Sequence, residues 1–389
     1  MMENLQIVFV DFGSTDENGS SGIDRKKNAQ IKELKKLGNT KRVTYSLEGS
    51  NGFFKKLVRR LPLFPSMFPY AYSDDFDNTA VVYFRRSITD RYTVRLIKDI
   101  REHNPNCLIL FEIPTYPYDK EMIEPSMYPI LLKERWNRRK LHKYVDRVVL
   151  VGSLAQRVFN IPAFSIVNGI DFTRIRVRKA VNMRDGSVHA IFIGNFEYWH
   201  GLDRVIAGIK AYDSNPANTR KFVLHLVGPL KKVDTLKDTI ADLESKGSVI
   251  TYGKRTLDDV EDIYDTVSIG FDVFGMHRIQ KGIVSSSIKS REYGAKGLPI
   301  VSESIIDYLP ETSPYYLGVP EDDSPLDIAK VVAFHDTVYS KGVDLVAQEI
   351  RTFAENHCSS EAMMRPVIEY CKTELARKKG STRDYFQNT

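Results

Sequence analysis

Hydroxyl, ammonium and carboxylate groups lie at helical spacing in the segment SSSIKSREYGAKGLPIV, residues 285–301. Serine is preferred just before a helix and glycine just after one, so the pattern predicts a helix over 288–296 that ends at Gly297, followed by a strand over 298–301. The free N–H groups of a helix start attract anions, and nearby hydroxyls can add hydrogen bonds. We therefore expect a phosphate to bind beside Ser285, Ser286 and Ser287.

Lys289 and Glu292 are three residues apart and share one face of this helix. The lysine would place a positive charge near the phosphate. The carboxylate, one turn deeper, could accept hydrogen bonds from both hydroxyls of a ribose. The same spacing also fits a surface helix that carries an ordinary Lys–Glu pair.

A second phosphate-binding pattern occurs at IFIGNFEYWHGLDRVIAGI, residues 191–209. A strand ending in Gly194 is followed by a short loop and by a helix that begins near Gly201. Such a turn lets the backbone approach a phosphate closely. Asn195 and His200 would flank the pocket, although a histidine there could equally be a structural loop residue.

The elements that must position these groups are short β-branched runs alternating with helical stretches, the pattern of a parallel sheet. These runs are 5–10, 81–84, 107–113 and 147–151, then 188–194, 222–228, 248–253, 267–273 and 298–301. Residues 167–187 are charged and lack a sustained apolar period, which places the domain junction near 170–187. The sequence therefore predicts two doubly wound α/β domains.

Composition excludes several classes of protein. With 389 residues, 42% of them hydrophobic and 27% charged, the chain fits two to three globular domains. A net charge of +6 suits an anionic ligand or a membrane surface and is too small to indicate nucleic acid. Cys107, Cys358 and Cys371 form neither a disulfide framework nor a zinc motif, and no segment resembles a signal peptide or a membrane span. We therefore expect a cytoplasmic protein.

Two basic stretches in the first half could contact a membrane. Residues 51–70 interleave phenylalanines with Lys55, Lys56, Arg59 and Arg60, a composition that suits an interfacial segment on anionic lipid. Residues 133–147 contain seven Lys or Arg against two acids. Both also fit the solvated faces of ordinary helices. We expect 51–70 to hold the protein at the inner face of the plasma membrane.

The succession of segments resembles the metal-independent, retaining glycosyltransferases of the GT-B fold, family four, and especially the bacterial enzymes that build capsular and other surface polysaccharides. The resemblance is carried by residues 112–121, 168–171, 193–204, 225–229, 252–264 and 275–301. It implies two Rossmann-like doubly wound parallel-sheet domains with a deep interdomain cleft. The acceptor domain would span 1–175 and the nucleotide-sugar domain 176–345, with C-terminal helices over 346–389 packing back toward the first domain.

The sequence departs from this family at charged positions. Val284 stands where the first of two family glutamates is expected, so only Glu292, the ribose-binding one, carries over. Asn195 or Phe196 and His200 replace the usual Arg and Lys anchors of the diphosphate. The diphosphate would then be bound by cations that cluster after strand ends, which are Lys254, Arg255, Arg278 and Lys289.

The resemblance also implies roles for further residues. Gly228 and Pro229 would border the base, and Ser21 and Gly22 belong to the loop that closes over the donor phosphates in the family. The groups expected at the reaction are Arg278, Lys289 and Glu112. Those expected on the acceptor side are Arg85, Thr115, Tyr116, Tyr118 and Asp119.

The implied activity is that of a hexosyltransferase. It would move a sugar from a nucleotide-sugar to a hydroxyl of a saccharide, lipid-linked in bacterial surface polysaccharide synthesis, with retention and without metal or another cofactor. A metal-dependent mechanism would rest on Asp75 and Asp77, but that pair precedes its strand instead of following it. Two further hypotheses stay open, a nucleotide-sugar epimerase of the same fold and a non-catalytic bilobed nucleotide-sugar-binding or scaffold protein.

Overall fold

The structure is a computed structural model. It describes residues 5–13, 22–45, 61, 64, 70–122, 125–153, 155–179, 186–230 and 233–387. The chain divides into two compact units, the first made of Met1–Val167 and Met363–Thr389 and the second of Asn168–Ala362. The division at Val167 precedes the predicted junction at 175.

The first unit contains a seven-stranded sheet in the order β2-β1-β3-β4-β5-β7-β6. The β6–β7 pair is antiparallel and the other pairs are parallel. The strands are β1 (Gln6–Phe12), β2 (Asn39–Tyr45), β3 (Val81–Arg85), β4 (Leu108–Ile113), β5 (Arg147–Val151), β6 (Arg157–Val158) and β7 (Ile161–Ile166). Its helices include α1 (Gly22–Leu34), α2 (Arg91–His103) and α3 (Tyr128–Arg138).

Apolar side chains cover both faces of this sheet, as a parallel sheet requires. Alternate residues of each strand point to opposite faces, so Val8 and Phe9 belong to different cores. Asp90 is the N-cap residue of helix α2, and its carboxylate accepts hydrogen bonds from the N–H groups of Tyr92 and Thr93.

The second unit contains a six-stranded parallel sheet in the order β10-β9-β8-β11-β12-β13. Its strands are β8 (Val188–Ile193), β9 (Phe222–Val227), β10 (Val249–Gly253), β11 (Ile269–Phe271), β12 (Ile300–Ser302) and β13 (Tyr316–Gly318). Its helices are α4 (Leu202–Asp213), α5 (Lys237–Ser245), α6 (Leu257–Tyr264), α7 (Ile288–Lys296), α8 (Ile328–Tyr339) and α9 (Val343–Cys358).

The chain ends in a long helix, α10 (Ser360–Gln387). Met363, Met364, Val367 and Cys371 of α10 are buried in the core of the first unit, whereas α9 packs against α7 within the second. Two parallel-sheet α/β domains are therefore confirmed. No helix among the described residues has both the length and the apolar character needed to cross a bilayer.

Candidate active site

Glycines at the carboxyl ends of β8, β9 and β10 bring neighbouring loops into close contact. The N–H of Gly194 donates to the carbonyl of Val227 at 3.0 Å, and that of Gly228 donates to the carbonyl of Gly253 at 2.8 Å. Gly228 has a φ of +139°, and a Cβ there would lie 1.8 Å from the carbonyl oxygen of Gly194. A side chain at position 228 cannot fit, so bare backbone forms this edge of the sheet.

His200 lies over this glycine edge. A Cβ on Gly194 would lie 3.5 Å from its Nε2. The N–H of Glu197 donates to Nδ1 of His200 at 2.9 Å, so the ring proton of the neutral histidine is on Nε2. Burial, together with the nearby charge of Lys289, lowers the pKa of His200 to about 4. At neutral pH His200 is therefore an uncharged hydrogen-bond donor.

Gly201 allows the loop that carries His200 to pack closely against the segment at Phe274. Gly201 has a φ of +68°, and a Cβ there would lie 2.4 Å from the carbonyl carbon of Phe274. The N–H of Phe274 in turn donates to the carbonyl of His200 at 3.0 Å. Close packing against the segment after β11 thus sets the position of the imidazole at the start of α4.

Lys289 supplies a nearly buried cation in the first turn of α7. Its side chain is 11% exposed, and its Nζ lies 3.7 Å from Oδ1 of Asp272 and 5.2 Å from the ring centre of Phe192. Burial lowers the pKa of Lys289, and Asp272 offsets only part of this effect. The N–H of Ser290 donates to the hydroxyl of Ser287 at 3.2 Å, whereas the N–H groups of Ile288 and Lys289 have no acceptor within the helix and add a partial positive charge. This end of α7 is suited to bind an anion.

Asp272, which sequence reasoning missed, follows β11 and is fully buried. Its carboxylate accepts hydrogen bonds from the hydroxyls of Ser285 at 3.0 Å and Ser287 at 2.5 Å. A buried carboxylate needs such donors. In this structure both hydroxyls donate to Asp272, and their contact with a phosphate stays a prediction. The sequence signal that could have indicated Asp272 is an aspartate directly after the apolar run 267–271.

Ser286 is also used internally. Its hydroxyl donates to Asp307 at 2.7 Å and accepts the N–H of Asn168 at 3.0 Å. The Arg291 guanidinium binds Asp307 and, at 2.9 Å, the carbonyl of Asn168. Ser286 thus connects the segment at Asn168 to the start of α7, and its contact with a phosphate stays a prediction.

The other predicted donor-site residues lie around this centre. Glu292 is half-buried on α7, and Pro229 is half-buried after β9. Asn195 is exposed, as are Lys254 and Arg255 before α6. The structure therefore brings together Gly194, Gly228, His200, Lys289 and the start of α7, with exposed charges farther out.

Arg278 occupies a different environment. Its guanidinium donates to Asp203 at 2.6 Å, to Asp323 at 2.8 Å and to the carbonyl of Tyr198 at 2.7 Å. The hydrogen bond to Asp203 is the main reason that its pKa is raised. Two carboxylates already balance this charge, so Arg278 holds the loop before α4 in place. Its predicted direct role at the diphosphate stays a prediction.

A buried ionic cluster near Arg278 was also missed. Glu303, directly after β12, accepts hydrogen bonds from Arg204 at 2.6 Å and from the N–H of His277 at 2.8 Å. Nδ1 of His277 lies 2.8 Å from the same carboxylate. This cluster positions the segment at 276–278 relative to α4.

In the first unit, Glu112 at the end of β4 is fully buried. Its carboxylate accepts hydrogen bonds from Gln30 at 2.7 Å, Tyr83 at 2.8 Å and Lys26 at 3.3 Å. Burial alone would raise its pKa, but Lys26 and Arg85 outweigh it and lower the pKa of Glu112 to about 2. Among the described residues this carboxylate is enclosed by its partners, and its predicted catalytic role stays a prediction.

Of the five residues predicted on the acceptor side, three are packed or paired within the first unit and two are accessible. Arg85 and Tyr118 are buried, and the Tyr118 ring packs 3.3 Å from the Arg86 guanidinium. Asp119 pairs with Arg135 at 2.8 Å and with Arg138 at 2.5 Å. These three residues are packed or paired within the first unit, and their contact with an acceptor stays a prediction. Thr115, which is exposed, and Tyr116, which is half-buried, remain accessible after β4.

Several predictions lie at or beyond the limits of the described residues. Gly22 is the first residue of α1, whereas Ser21 and nearly all of 51–70 lie outside the described residues. Asp75 pairs with Lys41, and Asp77 accepts a hydrogen bond from Tyr72 at 2.5 Å. Within the described ranges, no group of three or more His, Cys, Asp and Glu residues is arranged to hold a metal ion.

No family model and no curated protein matches the sequence. Solved structures do share its fold. A glycosyltransferase from Rickettsia africae aligns with a TM-score of 0.60 at 14% identity, covering 96% of this chain and 99% of that one. The sucrose-phosphate synthase of Thermosynechococcus elongatus aligns with a TM-score of 0.65 at 12% identity, covering 96% and 100%.

Anabaena HepE, solved in complex with UDP and glucose, aligns with a TM-score of 0.60 at 11% identity, covering 95% of this chain and 100% of that one. The structural neighbours are glycosyltransferases of the GT-B fold. At identities this low, the likeness shows that this chain has their two-domain fold.

Proposed function

We propose that this chain is a glycosyltransferase that moves a sugar from a nucleotide-sugar to a hydroxyl of a saccharide acceptor. The observation that carries the proposal is the partly compensated Lys289 cation at the start of α7, beside neutral His200 and the glycine edge. Such a site binds an anion and stabilises further negative charge on it. The UDP-glucose complex of HepE supports a nucleotide-sugar as the donor.

The chemistry follows from charge. When the bond between the anomeric carbon and the diphosphate oxygen breaks, negative charge develops on the leaving oxygen. Lys289, the first-turn N–H groups of α7 and Nε2–H of His200 would stabilise that charge. In the family that the sequence resembles, the acceptor hydroxyl attacks from the same face and gives its proton to the leaving oxygen. The sugar then keeps its anomeric configuration, and no protein base is needed.

The finer parts of the proposal rest on the resemblance. Glu292 would accept the ribose hydroxyls, Gly228 and Pro229 would border the base, and Thr115 and Tyr116 would contact the acceptor. The acceptor would be a lipid-linked saccharide in bacterial surface polysaccharide synthesis, used at the inner face of the plasma membrane.

Calorimetry with UDP, GDP, dTDP and CMP tests the donor site. We expect one nucleotide to bind best, and Glu292→Gln to weaken its binding by about 1–3 kcal/mol because a hydrogen bond to a charged group is lost. Glu369→Gln, an exposed change on α10, is the matched control. Equal affinities in wild type and Glu292→Gln would remove Glu292 from the ribose site.

Turnover assays separate the competing activities. With a saccharide acceptor, excess EDTA should leave the rate of sugar transfer unchanged. A requirement for Mg²⁺ or Mn²⁺ would instead support a metal-dependent mechanism with Asp75 and Asp77 as candidate ligands. Interconversion of the nucleotide-sugar without an acceptor would indicate an epimerase. Tight nucleotide binding with neither reaction would indicate a binding protein.

A further inference from the structure

Large apolar side chains are exposed along one face of α3. Tyr128, Leu132 and Trp136 follow one another at intervals of four residues, and they are 52%, 64% and 68% exposed. Residues at this spacing lie one above the other on a helix. The opposite face of α3 is buried through Ile130, Leu131, Glu134 and Asn137. The stripe is therefore the outward face of an otherwise packed helix.

Two further exposed apolar residues lie near α3. Nζ of Lys133 donates to the carbonyl of Phe64 at 2.9 Å, which places Phe64 next to α3. Phe64 is 44% exposed and Leu61 is 47% exposed. Scattered apolar side chains are common on protein surfaces, but a contiguous group of aromatic and aliphatic side chains marks a contact surface.

Cations border the stripe. Arg135, Arg139, Lys140 and Lys143 are exposed, and Nζ of Lys140 lies 5.7 Å from the ring centre of Trp136. Within the described part of the chain, no carboxylate lies within ion-pair distance of Arg139, Lys140 or Lys143.

Negative charge is kept away from the same face. Glu134, the acid within α3, is buried and pairs with Arg86 at 3.0 Å. Asp119 is neutralised by Arg135 and Arg138. The exposed face thus combines aromatic and aliphatic side chains with net positive charge.

We propose that this face docks on an anionic lipid bilayer. We call it the α3 surface, formed by Tyr128, Leu132, Trp136, Arg139, Lys140 and Lys143. Aromatic and aliphatic side chains of an interfacial helix enter the headgroup region while basic side chains contact anionic headgroups. The charge favours lipid over a neutral protein partner. The α3 surface belongs to the first unit and the proposed donor site to the second, so vesicle binding is measured independently of sugar transfer.

Flotation with phosphatidylglycerol-containing vesicles tests the charge. Wild type should bind these vesicles at low salt, and bind pure phosphatidylcholine vesicles at least about 10-fold more weakly. Combined Arg139→Glu, Lys140→Glu and Lys143→Glu changes should weaken binding about 100-fold, since each cation near the surface contributes about 5-fold. The matched control combines Lys210→Glu, Lys281→Glu and Lys372→Glu, at exposed lysines elsewhere. Unchanged thermal unfolding would show that each variant is folded.

The apolar stripe is tested separately. Combined Leu132→Ser and Trp136→Ser changes should weaken vesicle binding about 10-fold, whereas Leu345→Ser, at a side chain 52% exposed on α9, should not. The chain has two tryptophans, so Trp199→Phe leaves Trp136 as the reporter. Its fluorescence should shift to shorter wavelength on anionic vesicles and be quenched by brominated acyl chains.

Absence of wild-type binding to anionic vesicles at low salt would overturn the proposal. So would equal loss in the α3 variants and their controls, or a Trp136 signal that vesicles do not change. Binding that survives the α3 changes but is lost when Lys55, Lys56, Arg59 and Arg60 are reversed would assign membrane contact to 51–70 instead.

Discussion

At the carboxyl edge of the first sheet, Glu112 is enclosed by Gln30, Tyr83, Lys26 and Arg85. At the carboxyl edge of the second sheet, Lys289 has a carboxylate at 3.7 Å that two serines share. The pKa values show the consequence. That of Glu112 is lowered because its partners outweigh burial, and that of Lys289 is lowered because burial outweighs its partner.

The two shifts have opposite meanings for function. The lowered pKa of Glu112 shows that its partners already stabilise the ionised carboxylate. A ligand that approached it would therefore add little further stabilisation. The lowered pKa of Lys289 describes a charge that the fold leaves partly unsatisfied, and a bound anion would restore the balance. A titratable side chain after a strand is thus a better candidate for binding a ligand when its partners in the fold do not fully stabilise its charged form.

The largest expected effect concerns Lys26, in the satisfied network. Lys26→Met should lower the free energy of unfolding by about 3–5 kcal/mol, because it leaves the Glu112 carboxylate buried with less compensation. Urea denaturation measures this change. Lys35→Met, at an exposed lysine just after α1, is the control and should change stability by less than about 0.5 kcal/mol. A loss below about 1 kcal/mol for Lys26→Met would mean that the buried Glu112 carboxylate does not depend on the charge of Lys26.

Lys289→Met should act on turnover instead of stability. Transfer should slow by about 10²–10³-fold, since a group that stabilises developing charge is lost. The free energy of unfolding should change by less than about 1 kcal/mol, because the ammonium that is removed is only partly compensated and the hydroxyls of Ser285 and Ser287 still donate to Asp272. Binding of the nucleoside should be retained while binding of its diphosphate weakens. Parallel losses in nucleoside binding, turnover and stability would instead show that the variant is misfolded.

The sequence predicts the fold well where apolar runs are uninterrupted, and all nine predicted runs form strands. Four strands were missed. Lys41 and Arg42 interrupt the pattern of β2, Pro162 interrupts that of β7, and β6 and β13 have only two and three residues. All four lie at or next to a sheet edge, where one-sided burial leaves a weaker signal.

Local spacing predicted the positions of Lys289 on α7 and of His200 before α4, whereas their roles at a ligand stay predictions. Asp272 was missed because its role arises only when β11, the start of α7 and Ser302 meet. The burial of Glu112 was not predictable for the same reason, since residues of α1, β3 and β4 together enclose it. Contacts between distant segments decide whether a charged group is exposed or satisfied.

The pH dependence of stability provides a smaller test. The pKa of His200 is about 4 in the folded chain, against 6.5 for an ordinary histidine, so the unfolded chain takes up its proton first as the pH falls. Stability is therefore retained above pH 6.5 and lost between pH 6.5 and 4. His200→Asn should reduce the loss between pH 7 and pH 5 by about 1–2 kcal/mol, measured by urea denaturation at both values.

His225 contributes to the same pH window and serves as the comparison. Burial and His189 lower its pKa to about 3. His225→Asn should also flatten the pH dependence, but without the effect on diphosphate binding that we expect from His200→Asn. An unchanged slope in His200→Asn would mean that His200 is not held neutral by the fold.

The smallest expected effect is that of Arg278, whose charge is satisfied although it lies near the proposed donor site. Its side chain is 20% exposed, and its partners Asp203 and Asp323 are 50% and 71% exposed. Ion pairs this accessible to water contribute about 1 kcal/mol or less. Arg278→Gln should therefore slow turnover only a few-fold, through a looser loop before α4.

A double-mutant cycle of Arg278→Gln with Asp203→Asn measures that pair directly, and its coupling energy should stay below about 1 kcal/mol in urea denaturation. The decisive comparison is with Lys289→Met. If Arg278→Gln slows turnover as much as Lys289→Met while stability is unchanged, then Arg278 contacts the leaving group despite its carboxylates. In that case, the presence of ion-pair partners that already balance a side chain's charge would not distinguish ligand-binding residues from structural ones in this fold.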